Sequence, residues 1–388
     1  MSKREKHIPR TFVEKILSIQ ERKNIISLGP GEPDFTTPKP LLEEIKKIVR
    51  EEKKWRFTHY APPQGREDLR EEIARKLKRK NCIRSAAPEN IIVTTGSQQA
   101  IHLALMAITD PKDKVLIPNP GYIDYAPSIM LAGGKPLALK LDCGDEYCLR
   151  LEKLHRKTDK NKPRCIVINT PNNPTGAVLT RKQLEEIADI AVENDAFIIS
   201  DEAYEDIVYD DAKHISIASL NGMEKYTLTF NTFSKSYAMC GFRIGYCHGA
   251  EKVIKGMTKS VNYETISAPH ISQIIALKAL KLSEQHVNKM VEQYKKRRDF
   301  IIPILNDIGL HTLKSQGTFY AFSNIKKTGM KSQHFAEELL KKHGVAVIPG
   351  TDFGSNGEGH VRISYATSME NIQKAIEKIE KYVKTRKK

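Results

Sequence analysis

Short, continuous apolar runs alternate with longer stretches of helical periodicity through the middle of this chain. The runs are Ile91–Thr95, Lys114–Pro118, Pro136–Leu139, Cys165–Asn169, Ala196–Ser200, Thr227–Phe230 and Arg243–Tyr246. They do not alternate strictly between apolar and polar residues, which predicts strands buried on both faces in a mainly parallel sheet. Helical patterns such as Gln98–Ile108 and Arg181–Glu193 lie between them. The second opens with Thr180 and has Gln183 three residues on, the arrangement of a capping box. Its Leu184, Ile187, Ala188 and Ala191 fall on one face. Seven such runs predict one large α/β layer structure.

After Ala250 the pattern changes. Residues from about 280 to 310 read as a long helix that Pro303 should kink or end early. Beyond it, Thr318–Phe322, Val345–Ile348 and His360–Tyr365 read as strands among two helices, an α+β pattern. The N-terminal ~40 residues show no strand partner nearby and are expected to pack on the C-terminal part. The chain therefore divides into an N-terminal segment 1–42, a large domain 43–284 and a small domain 285–388. No internal repeat or low-complexity linker interrupts it.

Composition adds constraints. The chain has 388 residues, 40% hydrophobic and 28% charged, ordinary for a globular protein with a generous core. Its formal charge of +16 is not ordinary. The basic runs are scattered and mostly helical, without interleaved aromatics or zinc-ligand spacing, so they read as solvated faces rather than a nucleic-acid surface. A positive field still favours small anions. The six cysteines form neither a zinc pattern nor a redox pair, which fits free thiols in a reducing cytoplasm. No signal peptide and no spanning segment of 18 apolar residues is expected, and no metal site.

In an open parallel sheet, functional groups gather beyond the carboxyl ends of the strands. After Ile91–Thr95 come Gly96, Ser97 and Gln98, a glycine turn into a helix whose free N–H groups suit a phosphate. After Lys114–Pro118 comes Tyr122, an aromatic face. Asn173 follows Cys165–Asn169 in a proline-rich turn, Asp201 and Tyr204 follow Ala196–Ser200, and Thr232, Ser234 and Lys235 follow Thr227–Phe230. Arg243 lies eight residues beyond Lys235 in a β-prone stretch. Taken singly, each has a structural explanation: a turn asparagine, a helix-capping aspartate, rim tyrosines, a surface lysine. Together they match what pyridoxal phosphate requires. Its aldehyde needs a lysine (Lys235), and its ring nitrogen needs a carboxylate (Asp201). Its phenolate oxygen needs donors (Asn173, Tyr204), its ring a stacking face (Tyr122), and its phosphate a guanidinium (Arg243). Gly29 and Gly31 form a GxG that continues Glu32-Pro33-Asp34, so the dinucleotide fingerprint is excluded.

These residues sit in longer motifs: Ser27–Phe35 (SLGPGEPDF), His59–Gly65 (HYAPPQG), Asn172–Gly176 (NNPTG), Ser200–Tyr204 (SDEAY), Ser234-Lys235 and Val361–Tyr365 (VRISY). With them the chain resembles the fold-type I pyridoxal-phosphate-dependent aminotransferases of class I/II, over about Ile25 to Val383, and in particular prokaryotic and archaeal aspartate and aromatic aminotransferases. The resemblance implies a large domain with a seven-stranded, mainly parallel sheet and a smaller α+β domain. It makes Lys235 the cofactor-bonding lysine and base, Asp201 the ring-nitrogen partner, and Asn173 and Tyr204 the phenolate ligands. Ser97, Gln98, Thr232, Ser234 and Arg243 would hold the phosphate. Arg362, Gly31 and Asn173 would hold the substrate, with Arg362 clamping the α-carboxylate bidentately. Tyr60 would reach the phosphate of a neighbouring subunit, implying a homodimer with shared active sites. The implied reaction moves an amino group from an L-amino acid, aspartate or an aromatic one, to a 2-oxo acid such as 2-oxoglutarate. A β-lyase on the same scaffold shares every motif, and a non-enzymatic, basic nucleic-acid-binding relative is the more distant alternative.

Overall fold

The structure is a computed structural model that describes residues 5–19, 24–141 and 151–385; Cys143 and Cys148 lie outside these residues. Its main sheet has seven strands in the order Ile91–Thr94, Gly245–His248, Thr227–Thr232, Phe197–Asp201, Cys165–Asn169, Lys114–Asn119, Lys135–Lys140. All pair in parallel except Gly245–His248, which runs antiparallel to both neighbours. All seven apolar runs thus became strands of one sheet.

The lack of apolar–polar alternation has a direct cause in the packing. Ile166, Ile168 and Ile198 enter one core cluster with Leu184, Ile187 and Ala191 of the helix Arg181–Glu193. Their neighbours Cys165, Val167 and Ile199 enter a second cluster with Leu103, Ala104 and Ile108 of the helix Gly96–Ile108. Each face of the sheet is covered by helix, so successive residues are buried on opposite sides. The capping box at Thr180 forms, with the Thr180 and Gln183 side chains each bonded to the other's backbone amide.

One expectation needs correction. The helix Gln285–Asp307 runs through Pro303 to its end. Proline there removes one backbone hydrogen bond near the last turn, while Ile301, Ile302 and Leu305 on either side are buried, so packing outweighs the local penalty. The N-terminal segment pairs with the C-terminal part: Ile26–Ser27 runs parallel to Val345–Ala346, a contact between distant parts of the chain that local pattern cannot reveal. The same segment is tied down elsewhere. Phe12 and Val13 donate their amides to Asp352, at 2.7 and 3.3 Å, and Thr37 donates to the Ala238 carbonyl at 2.8 Å. Arg297 grips Asp34 through both guanidinium nitrogens, at 2.7 and 2.9 Å.

The C-terminal part builds a three-stranded antiparallel sheet from Ile348–Pro349, His360–Ser364 and Tyr320–Asn324, with the helices Ser332–His343 and Met369–Lys384 beside it. Cys82, Cys165, Cys240 and Cys247 are free thiols. Among the described residues no helix is long and apolar enough to cross a membrane.

Candidate active site

A cavity of about 280 Å³ opens at the carboxyl ends of the parallel strands. Of the residues singled out in the sequence, Gly31, Ser97, Gln98, Tyr122, Asn173, Asp201, Tyr204, Thr232, Ser234, Lys235, Arg243 and Arg362 line it. Tyr60 does not; it is 76% exposed on the surface of the chain.

Lys235 sits in the four-residue helix Phe233–Ser236, directly after the strand Thr227–Thr232. Thr232 caps that helix by accepting the Ser234 amide at 3.1 Å. The Lys235 ammonium donates to the Gly31 carbonyl and lies 5.6 Å from the centre of the Tyr204 ring, so the amine is fixed at the cavity wall.

Asp201 ends its strand almost wholly buried. Tyr125 donates to its Oδ2 at 2.6 Å, and the Ala203 amide donates to Oδ1 at 3.1 Å. Burial pushes the carboxyl above its ordinary range, and these two donors partly offset that. A cationic ring nitrogen placed against it would supply the missing countercharge. Tyr204 is buried too, and desolvation and Tyr320 hold its phenol well above the usual value. It therefore stays protonated, sharing a hydrogen bond of 2.6 Å with the Tyr320 hydroxyl. Tyr122 is likewise held neutral by burial, and its ring meets that of Tyr125 edge-on at 5.5 Å.

The phosphate end is built from backbone. Gly96 opens the helix Gly96–Ile108 at φ +78°, and Thr95 before it makes no side-chain cap, so the first-turn amides of Ser97 and Gln98 remain open to a ligand. A side chain on Gly96 would come within 2.8 Å of Arg243 Nη2. A Cβ on Gly245 would stand 2.6 Å from the Ser97 amide nitrogen, so only glycine lets the antiparallel strand pass so close beneath the helix. Arg243 is not in a strand as its β-prone surroundings predict. It follows the turn Cys240–Phe242 at φ +50°, and the strand starts at Gly245. That left-handed backbone breaks the extended run, and the side chain lines the cavity.

Arg362 projects from the strand His360–Ser364 and is 4% exposed. It donates to Asn173 Oδ1 at 3.0 Å and to the Gly29 carbonyl at 2.6 Å, and its guanidinium lies over Tyr320 at 4.3 Å and Phe353 at 4.8 Å. Its Nε is buried with no partner, a donor left for something that enters the cavity. Asn173 is positioned by Asn169, whose Oδ1 accepts the Asn173 amide at 2.8 Å.

Five residues escaped the sequence reading. Tyr125 and Tyr320 look like core residues of a helix and a strand, and no spacing rule separates them from other buried tyrosines. Asn169 could have been found, because it ends a buried run just as Asp201 does. Val13 and Leu17, on the helix Phe12–Leu17 that borders the cavity, come from a segment with no motif.

The residues present fit pyridoxal phosphate on these observations: an amine, a buried carboxylate lacking a countercharge, a protonated phenol, open helix amides beside an arginine, and an orphaned guanidinium nitrogen.

Residues 23–379 match the family model described as aminotransferase class I and II. The aromatic-amino-acid aminotransferase 2 of Thermococcus litoralis is 44% identical over 94% of this chain and 93% of its own length. The aspartate aminotransferase of Pyrococcus abyssi shows the same identity and coverage. Among solved structures, the aromatic aminotransferase of Pyrococcus horikoshii superposes with a TM-score of 0.90 at 44% identity, covering 97% of this chain and 99% of that one.

Proposed function

The chain belongs to the class I and II aminotransferases, and from that premise we propose that it takes the amino group of an aromatic or acidic L-amino acid and delivers it to a 2-oxo acid such as 2-oxoglutarate. It is an amino-acid aminotransferase, and its cofactor is pyridoxal phosphate. Bound between these residues, the cofactor supplies an electron sink that acidifies the substrate α-carbon.

The rest falls to the chain's own groups. In this reading Arg362, with Asn173 beside it, takes the α-carboxylate and so fixes the orientation of the Cα–H bond. Lys235 would hold the cofactor through its amine and would serve as the base that takes the substrate α-proton. Asp201 keeps the ring nitrogen protonated, and Tyr204 donates to the phenolate oxygen. The amides of Ser97 and Gln98, the hydroxyls of Thr232 and Ser234, and Arg243 hold the phosphate. Half-reactions with donor and acceptor use the same groups in opposite order.

The observation that carries the reading is that one cavity gathers Lys235, Asp201, Asn173, Tyr204 and Arg362 from four distant stretches of chain. It also bears on the donor. Among the described residues of the cavity wall, the cations are Lys235, Arg243 and Arg362, all engaged at the cofactor or the α-carboxylate. Val13, Leu17, Tyr122 and Ile123 offer apolar surface to an aromatic side chain. A dicarboxylate donor would draw its second cation from another subunit. The exposed Tyr60 supports such a homodimer, in which its hydroxyl completes the neighbouring phosphate site.

The test is to mix purified enzyme and pyridoxal phosphate with each L-amino acid and 2-oxoglutarate, and to measure glutamate. Glutamate from aromatic and acidic donors, absent in a Lys235→Ala control, is the expected result. Pyruvate and ammonia released without any oxo-acid acceptor would make it a lyase instead.

A further inference from the structure

Behind the site lies a cluster of charged side chains that the reaction does not use and that do not line the cavity. Glu202 is 1% exposed, yet every side of its carboxylate is engaged. Ser200 and Ser216 donate to Oε1 at 2.9 and 2.7 Å, Asn81 donates to Oε2 at 3.3 Å, and His214 Nε2 lies 3.0 Å from Oε2. Glu205 takes the Lys76 ammonium at 2.5 Å and the Asn81 amide at 2.7 Å. Lys76 also donates to the Tyr246 hydroxyl at 3.1 Å. Asp206 pairs with Lys80 and bonds the Ser236 hydroxyl.

The placement of these anchors along the chain is what gives the cluster meaning. Glu202 directly follows Asp201, Glu205 directly follows Tyr204, and Ser236 directly follows Lys235. The helix Glu67–Lys80, with Asn81 after it, thus grips two of these chain neighbours directly, Glu202 and Glu205, and reaches the third, Ser236, through Asp206. Charge decides how firmly. Glu202, Glu205 and Asp206 bring three negative charges, and Lys76 and Lys80 bring two positive ones; among the described residues a protonated His214 completes the balance. Oxygen and nitrogen atoms of Glu202, Glu205 and His214 lie within 4.8 Å of one another, a spacing a divalent ion could bridge. However, Lys76 and Asn81 already occupy both oxygens of Glu205, so the histidine is the remaining source of positive charge.

We propose that His214 is a positioning residue: as an imidazolium bound to Glu202 it completes a buried, charge-balanced clasp that keeps the Asp201–Tyr204 turn and the Lys235 turn in register. The proposal rests on the aminotransferase reading of the cavity for its effect on turnover, but not for the clasp itself. The groups facing His214 are Glu202 and Glu205 from the turn after the sheet strand and Lys76 from the helix. Burial disfavours the charged ring, and attraction to Glu202 more than offsets that, so His214 keeps its proton to higher pH than an ordinary histidine. A raised value in the folded state means that the contribution is whole below about pH 6.5 and is lost as pH rises through the folded value.

The experiment compares holoenzymes carrying His214→Gln, Glu202→Gln and both together. The first leaves a buried carboxylate without its cation, and the double change replaces an ion pair by two amides. His214→Gln is expected to lower kcat about tenfold with KM changed by less than about threefold, and to shed pyridoxal phosphate faster on gel filtration. The double variant should regain most of that kcat. Its thermal midpoint should also decline less than the wild type's as pH rises above 7. A His214→Gln enzyme with wild-type kcat and cofactor retention would overturn the proposal. So would a double variant no better than the worse single one, or one whose thermal midpoint follows pH as the wild type's does. Should His214→Gln fail to fold, the double variant still decides through its pH slope. Wild-type protein that binds the cofactor but transfers no amino group would sink the reaction reading alone, leaving the thermal comparison to judge the clasp.

Discussion

Tyr125 donates a hydrogen bond of 2.6 Å to Asp201 Oδ2, and both residues are buried. The pair matters because burial alone would drive that carboxyl toward its neutral form, useless as a partner for a ring nitrogen. Tyr125→Phe keeps the ring and its contact with Tyr122 but removes the donor. A hydrogen bond to a charged group is worth about 1.5–3 kcal/mol, so affinity for pyridoxal phosphate should fall by about tenfold or more. Fluorescence titration of the apoprotein measures it directly.

The same burial sets a pH dependence. Because the Asp201 carboxyl sits above its ordinary range, it takes up a proton at higher pH than an exposed aspartate. Cofactor affinity should therefore decline on acidification, starting at a higher pH than an exposed aspartate would set, and recover on return. Asp201→Asn, which cannot titrate, should bind weakly at every pH, with that acid limb gone. Equilibrium binding between about pH 5 and 8 separates the two profiles.

Arg362→Lys is expected to lower kcat/KM by about 10²-fold, since loss of a charged hydrogen bond and of the planar stacking costs about 3 kcal/mol. Lysine cannot reach Asn173 and Gly29 together or lie flat on Tyr320 and Phe353. Both KM and kcat should suffer, because a carboxylate held at one point lets the Cα–H bond wander. Steady-state kinetics with an aromatic donor gives both constants.

Gly96→Ala tests the phosphate end. The substitution strains a backbone at φ +78° and pushes a methyl group against Arg243. Strain of this kind costs about 1 kcal/mol or more. Cofactor affinity should fall at least about fivefold. Inorganic phosphate, which competes for the same cradle, should protect wild-type apoprotein against heat more than the variant.

The sheet could be read from the sequence because each strand is a run such as Cys165–Asn169, buried on both faces and flanked by covering helices. The polar residue at each carboxyl end was then an anomaly visible without coordinates, which is how Asp201, Asn173 and Lys235 stood out. What stayed hidden was pairing across long separations. Nothing local announces that Ile26–Ser27 lies beside Val345–Ala346, or that Tyr320 shares a hydrogen bond with Tyr204. Arg243 misled for the opposite reason: its neighbours favour strand, but the turn before Gly245 imposes a left-handed backbone. Pro303 does not end its helix because a rule about isolated helices meets a helix held on both sides by core packing.

The bond from Arg362 to the Gly29 carbonyl joins residues 333 positions apart, and that from Lys235 to Gly31 spans 204. Contacts of such separation carry a large loop-closure cost and form late. During refolding, helix content should return well before the ability to capture pyridoxal phosphate. A nascent chain still lacking its last thirty or so residues would hold most of its sheet and yet have no way to recognise a carboxylate.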